Sequence, residues 1–185
     1  MVRIAALVIA VVVAALSAIG LAGCSDDTPP AKAAAPQAVS IKGADPIIEG
    51  VETRGKDLVI RAYQREEWDA GDFVFAAGDA MRAAGKALKA GATDAGKPEK
   101  VFFLLSADAM DRLGHTRRVN VFGVSFKAAD LRDARYENLS AFDVIDLANA
   151  VYAPRASGRR EIAQWCLKNI ENTPHFCRQA VHDTL

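Results

Sequence analysis

The side chains able to do chemistry are few and scattered along this chain. Its histidines are His115, His175 and His182, the first candidates for metal ligation or proton transfer. His175 and His182 are two helical turns apart, so a helix would put both on one face. Their rings would still lie ~10 Å apart along the axis, too far to chelate one ion without further ligands. Neither a metal nor a cofactor is expected. A nucleophile elbow needs Gly-x-Ser-x-Gly, and "GVSF" at 123–126 has no second glycine. "GKALKAG" at 85–91 is not a phosphate loop, because the Gly-x4-Gly-Lys-Ser/Thr pattern is missing. Asp108 and Asp111 flank a presumed turn and offer a pair of acids, although such residues more commonly build the turn itself. No catalytic constellation emerges, so the expectation is a protein that is not an enzyme.

Two basic clusters stand out. Arg112, His115, Arg117 and Arg118 crowd one polar loop, "DRLGHTRR". Arg155, Arg159 and Arg160 crowd another. The first is the candidate surface contact, suited to an acidic protein partner, anionic lipid headgroups or polysaccharide. The plain alternative is a loop that keeps its charges in water. Whole-chain charge argues for neither nucleic acid nor an acidic membrane surface as the main partner: Lys+Arg and Asp+Glu both number 23.

The cysteines are more informative. Cys24 ends an uncharged apolar run that follows Met1-Val2-Arg3, "IAALVIAVVVAALSAIG" at 4–20. A basic start and an apolar core have the form of a signal peptide, with an uncleaved transmembrane anchor as the rival. Leu21-Ala22-Gly23-Cys24 resembles the lipobox of bacterial lipoprotein precursors: a branched apolar residue, two small ones, then cysteine. The resemblance covers residues 1–24 alone. It implies removal of 1–23 and lipidation of Cys24, with two or three acyl chains giving a stable membrane anchor. It further implies a bacterial cell envelope. Ser25, rather than an aspartate, follows the cysteine, which in this class favours the periplasmic face of the outer membrane, with the inner membrane as the alternative. If Cys24 carries lipid, Cys166 and Cys177 remain as an even pair in an oxidising compartment. A disulfide between them would close a short loop, contributing about 2–3 kcal/mol. The alternative is two reduced, separately buried thiols.

These residues must be held by some fold. Residues 24–46, "CSDDTPPAKAAAPQAVSIKGADP", have little to bury and read as a lipidated terminus and flexible tether. A single domain is then expected over 47–185. Residues 47–63 read as two strands around Gly55. Residues 68–91 read as a helix with Val74, Ala77, Met81, Ala84 and Leu88 in one stripe, Asp69 or Asp72 as cap and Gly91 as stop. "KVFFLLSADAM" (100–110) and "VNVFGVSF" (119–126) read as a strand and its return, with 111–118 as the hairpin tip. Residues 138–154 form a second expected helix, with Ser140 and Asp143 as a capping box. A third starts at Ser157 and buries Ile162, Trp165 and Cys166; a fourth starts at Pro174. The expected architecture is α+β: an antiparallel sheet of about four strands in ββαββα order, helices mainly on one face, and a C-terminal helix pair joined by the disulfide.

The function implied is a membrane-anchored, non-catalytic binding or assembly module of the envelope, whose partner is an envelope protein or cell-wall polymer. The alternatives are an enzyme acting on an envelope polymer through carboxylates not identified by spacing, and a small-ligand-binding periplasmic module. A cleft holding two carboxylates or a sizeable apolar cavity would favour these in turn.

Overall fold

A computed structural model describes residues 38–65 and 70–182, leaving aside the side chains of 70–72 and 181–182. The expected signal peptide, Cys24, the tether up to residue 37 and the caps offered by Asp69 and Asp72 lie outside the described residues. The order of elements is β1 (Ile48–Arg54), β2 (Asp57–Gln64), α1 (Ala70–Lys89), β3 (Lys100–Met110), β4 (Thr116–Lys127), α2 (Ala128–Asp133), α3 (Ala141–Asp146), β5 (Ala150–Tyr152), α4 (Ala156–Asn169) and α5 (Pro174–His182). Among the described residues the fold is α+β, with five strands in one sheet in sequence order and five helices.

The sheet is mixed, which corrects the antiparallel expectation. β1–β2, β3–β4 and β4–β5 are antiparallel, but β2 and β3 run parallel from Asp57↔Lys100 to Gln64↔Ala107. The physical reason lies in α1. A helix that packs across the sheet returns the chain to the end where β2 began, so the next strand must run the same way.

α1 follows the sequence closely. Val74, Ala77, Met81, Ala84 and Leu88 are all buried. Met81, Ala84 and Leu88 converge with Ile60, Val101, Phe103 and Phe126 of the sheet. Gly91, at φ 79°, stops the helix. Its N–H donates to the Leu88 carbonyl and that of Ala92 to the Ala87 carbonyl, a paired closure that satisfies the last carbonyls. Phe73 meets Phe122 edge to face, with centroids 5.5 Å apart.

The expected helix over 138–154 is cut short. Ser140 and Asp143 do form a reciprocal cap: the Ser140 hydroxyl accepts from the Asp143 N–H, and the Asp143 carboxylate accepts from the Ser140 N–H at 2.7 Å. The helix then ends at Asp146, and residues 150–152 become the edge strand β5. Two bonds favour this exit: the Asn149 N–H reaches the Ser125 carbonyl at 2.7 Å, and the Asn149 side chain accepts from the Lys127 N–H at 2.7 Å. The unpaired flank of β4 thus competes for Val151 and Tyr152, which suit a strand. The expected strand count of four rises to five, and α2 is an additional short helix.

The C-terminal pair follows expectation. Ile162, Trp165 and Cys166 are buried on α4, and α5 begins at Pro174. Cys166 and Cys177 form a disulfide with Cα atoms 5.6 Å apart. A run of rings joins the helices: Phe75 to Phe142 at 5.4 Å, Phe142 to Trp165 at 5.9 Å, and Trp165 to Phe176 at 5.6 Å.

The folded body begins before residue 47, a correction to the tether boundary. Ile41 is fully buried. The Asp94 carboxylate accepts the N–H groups of Ile41 (2.9 Å) and Lys42 (3.1 Å) and the Ser40 hydroxyl (2.8 Å). The anchor is an aspartate more than fifty residues away, so no local pattern marks it.

Candidate functional site

The two faces of the sheet differ. Leu58, Ile60, Ala62, Val101, Phe103, Leu105, Ala107, Phe122, Val124 and Phe126 form the buried side. The alternate positions share the other face through the register: Val59, Phe102 and Ser125 in one row; Arg61, Leu104, Gly123 and Tyr152 in the next; then Tyr63. Phe102, Leu104 and Tyr63 are only half-buried, and Tyr152 is 65% exposed. At Gly123 a Cβ would stand 2.7 Å from Leu104 Cδ2, so the Leu104 side chain occupies the space beside the glycine.

Polar side chains on this face are tied down. Tyr63 donates its hydroxyl to Asp108 at 2.7 Å. The Arg118 guanidinium stacks 3.5 Å above the Tyr63 ring and grips both oxygens of Glu49, at 2.7 and 3.1 Å. Cation–ring stacking of this kind contributes about 0.5–1 kcal/mol at an exposed place. Glu52 lies between Arg54 and Arg61 and pairs with both. The Arg54 and then the Arg61 hydrogen bonds hold the Glu52 carboxyl below the usual range.

The basic cluster expected at the hairpin tip is therefore divided. Arg112 and His115 stay at the tip, which spans 111–115; Arg117 lies in β4 opposite Ala109, and Arg118 folds back over Tyr63. Asp108 and Asp111 do not act as a pair. Asp108 serves Tyr63, and Asp111 builds the turn by accepting the Leu113 N–H (2.8 Å), the His115 N–H (3.0 Å) and the His115 ring at 3.2 Å. The His115 backbone bond is the largest of the contacts that hold Asp111 below the ordinary carboxylate range. Gly114 supplies the positive φ, 83°, that this turn requires.

In the second basic cluster Arg155 is exposed at the start of α4 without a side-chain cap bond. Arg159 donates to the Ala153 carbonyl at 3.1 Å, and Arg160 meets its neighbour Glu161 at 3.4 Å. Among the described residues no three His, Cys, Asp or Glu side chains converge as metal ligands, and no helix is long and apolar enough to cross a membrane. A shallow cleft of about 650 Å³ separates residues 39–45 from α1, with Asp45, Asp79, Arg82 and Lys86 giving it both charges. The apolar gap between α1 and the sheet is about 10 Å³, too small for a ligand. The residues that the sequence reading missed are Glu49, Tyr63 and Tyr152. In the sequence, Leu58, Ile60 and Ala62 alternate with Val59, Arg61 and Tyr63, which puts Tyr63 on the Arg61 side of β2 and is the one available signal. Set against family models, curated proteins and solved structures, the chain matches none.

Proposed function

We propose that this is a membrane-anchored bacterial lipoprotein with a non-catalytic binding role in the cell envelope, held by Cys24 and binding through the sheet face that its helices leave bare. The observation that carries the binding reading is that face itself. Phe102, Leu104 and Tyr152 form an apolar and aromatic band, flanked by charged groups already locked to one another. Locked charges lose little freedom on association, and half-buried aromatics are effective anchors in protein interfaces. The membrane reading rests on Leu21-Ala22-Gly23-Cys24 and on the pairing of the two remaining cysteines.

Photocrosslinking in cells tests the face. A crosslinking residue at Tyr152 or Phe102 should capture one defined envelope component, whereas the same residue at Leu167, exposed on α4, should not. Equal capture from both sides removes the reading. Intact mass of membrane-extracted protein, wild type beside Cys24→Ala, tests the anchor. An uncleaved, unacylated wild-type chain overturns it.

A further inference from the structure

Among the described residues, β3 beyond Gln64↔Ala107 pairs with β4 alone, and β5 pairs only with 123–125. Residues 108–118 therefore project past the sheet as a two-stranded ribbon. Its end carries two of the most exposed large apolar side chains among the described residues, Met110 at 69% and Leu113 at 81%. Arg112 precedes Leu113 in the turn and Arg117 stands opposite Ala109 on the other face from Met110; among the described residues neither has an acidic group within ion-pair distance, although the Arg117 charge acts on Asp111. The ribbon's other charges are committed elsewhere: Arg118 to Glu49, Asp108 to Tyr63, Asp111 to its own turn.

We propose that this tip is a second membrane contact, in which Leu113 and Met110 enter the headgroup region of an anionic bilayer while Arg112 and Arg117 pair with lipid phosphates. It goes beyond the sheet-face reading and uses different residues. Size favours a bilayer over a protein. A lasting protein interface needs ~800 Å² from each partner, more than the end of a two-stranded ribbon offers. A bilayer gains from every apolar side chain and every cation that reaches it, and a weak contact suffices where another anchor already holds the protein. Reach is adequate as well. The folded body begins at Val39, bonded to Thr93 seven residues before β3, and β3 runs about 35 Å from Lys100 to Met110 beside the tip. The chain from Cys24 to Val39 can span up to about 50 Å. The turn is also shaped before contact, since Asp111 fixes the backbone at Leu113 and His115.

The test uses the full chain in vesicles, with an environment-sensitive fluorophore at Leu113→Cys or, as control, at Leu167→Cys. On phosphatidylethanolamine–phosphatidylglycerol vesicles, the label at 113 should shift to the blue and be quenched by shallow spin-labelled lipid. The label at 167 should do neither, and pure phosphatidylcholine should weaken the response. Arg112→Glu with Arg117→Glu should lower the bound-tip equilibrium about thirty-fold or more. A water-like signal at 113, equal signals at 113 and 167, or indifference to the two reversals each overturns the proposal. Loss of the acyl mass at Cys24 is read separately by mass spectrometry, so failure of the anchor and failure of the tip are distinguishable.

Discussion

Gly85 offers a sharp test of how α1 is seated. An interior Gly→Ala change ordinarily stabilises a helix by about 1 kcal/mol. At Gly85 the new Cβ would stand 2.0 Å from the Tyr136 hydroxyl oxygen, 2.6 Å from Cζ and 3.0 Å from Cε1. Tyr136 is 2% exposed and its hydroxyl donates to the Leu131 carbonyl at 2.7 Å, so the ring cannot swing into water without breaking that bond. Breaking it costs about 1–3 kcal/mol, and forced repacking of a filled core about 1–3 more. Set against the helical gain, Gly85→Ala should destabilise by about 1–5 kcal/mol. Urea unfolding of the whole chain in detergent, followed by tryptophan fluorescence, measures this. Tyr136→Phe removes the nearest clashing atom, so the double variant should lose less than the two single losses combined, by about 1 kcal/mol. A Gly85→Ala protein as stable as wild type, or more so, refutes the close approach of α1 to Tyr136.

Other outcomes follow from specific contacts. Burial pushes the Tyr136 hydroxyl up to about 12. The unfolded chain loses that proton near pH 10 while the native one keeps it, so stability is full below pH 10 and falls by about 2–3 kcal/mol by pH 12; Tyr136→Phe should flatten that alkaline limb. Burial alone would raise the Asp94 carboxyl, but the Ile41 and Lys42 N–H groups and the Ser40 hydroxyl outweigh it and leave it below the usual range. Its contribution is present above the unfolded pKa and lost as pH falls through the folded one, so acid or Asp94→Ala should lower the hydrogen-exchange protection factors of Ile41 and Lys42, taken relative to the intrinsic rate at each pH. Cys166→Ala with Cys177→Ala should cost about 2–3 kcal/mol in urea unfolding and leave sheet circular dichroism unchanged.

Much of this fold is written in local pattern. The stripe from Val74 to Leu88, the stop at Gly91, the Ser140–Asp143 cap and Pro174 at a helix start are signals within a few residues of the structure they specify. The misses share one cause, which is a distant partner. Val151 and Tyr152 continue a helical period, yet β4 claims them because its flank would otherwise go unpaired. Ile41 resembles a stray apolar residue in a tether until Asp94 binds the backbone around it. The candidate site was half legible. Composition located Arg112, His115 and Arg117, but not that Arg118 would turn back onto Tyr63, a residue in another strand.

The sheet's margins carry a further consequence. β5 is three residues long, and β1 breaks register between Ile48 and Gly50 and bears Glu49, Glu52 and Arg54. A short border and a kinked, charged one are both poor templates for an incoming strand. Copies gathered at high density on a surface would thus resist zipping into fibrils through either of these two borders.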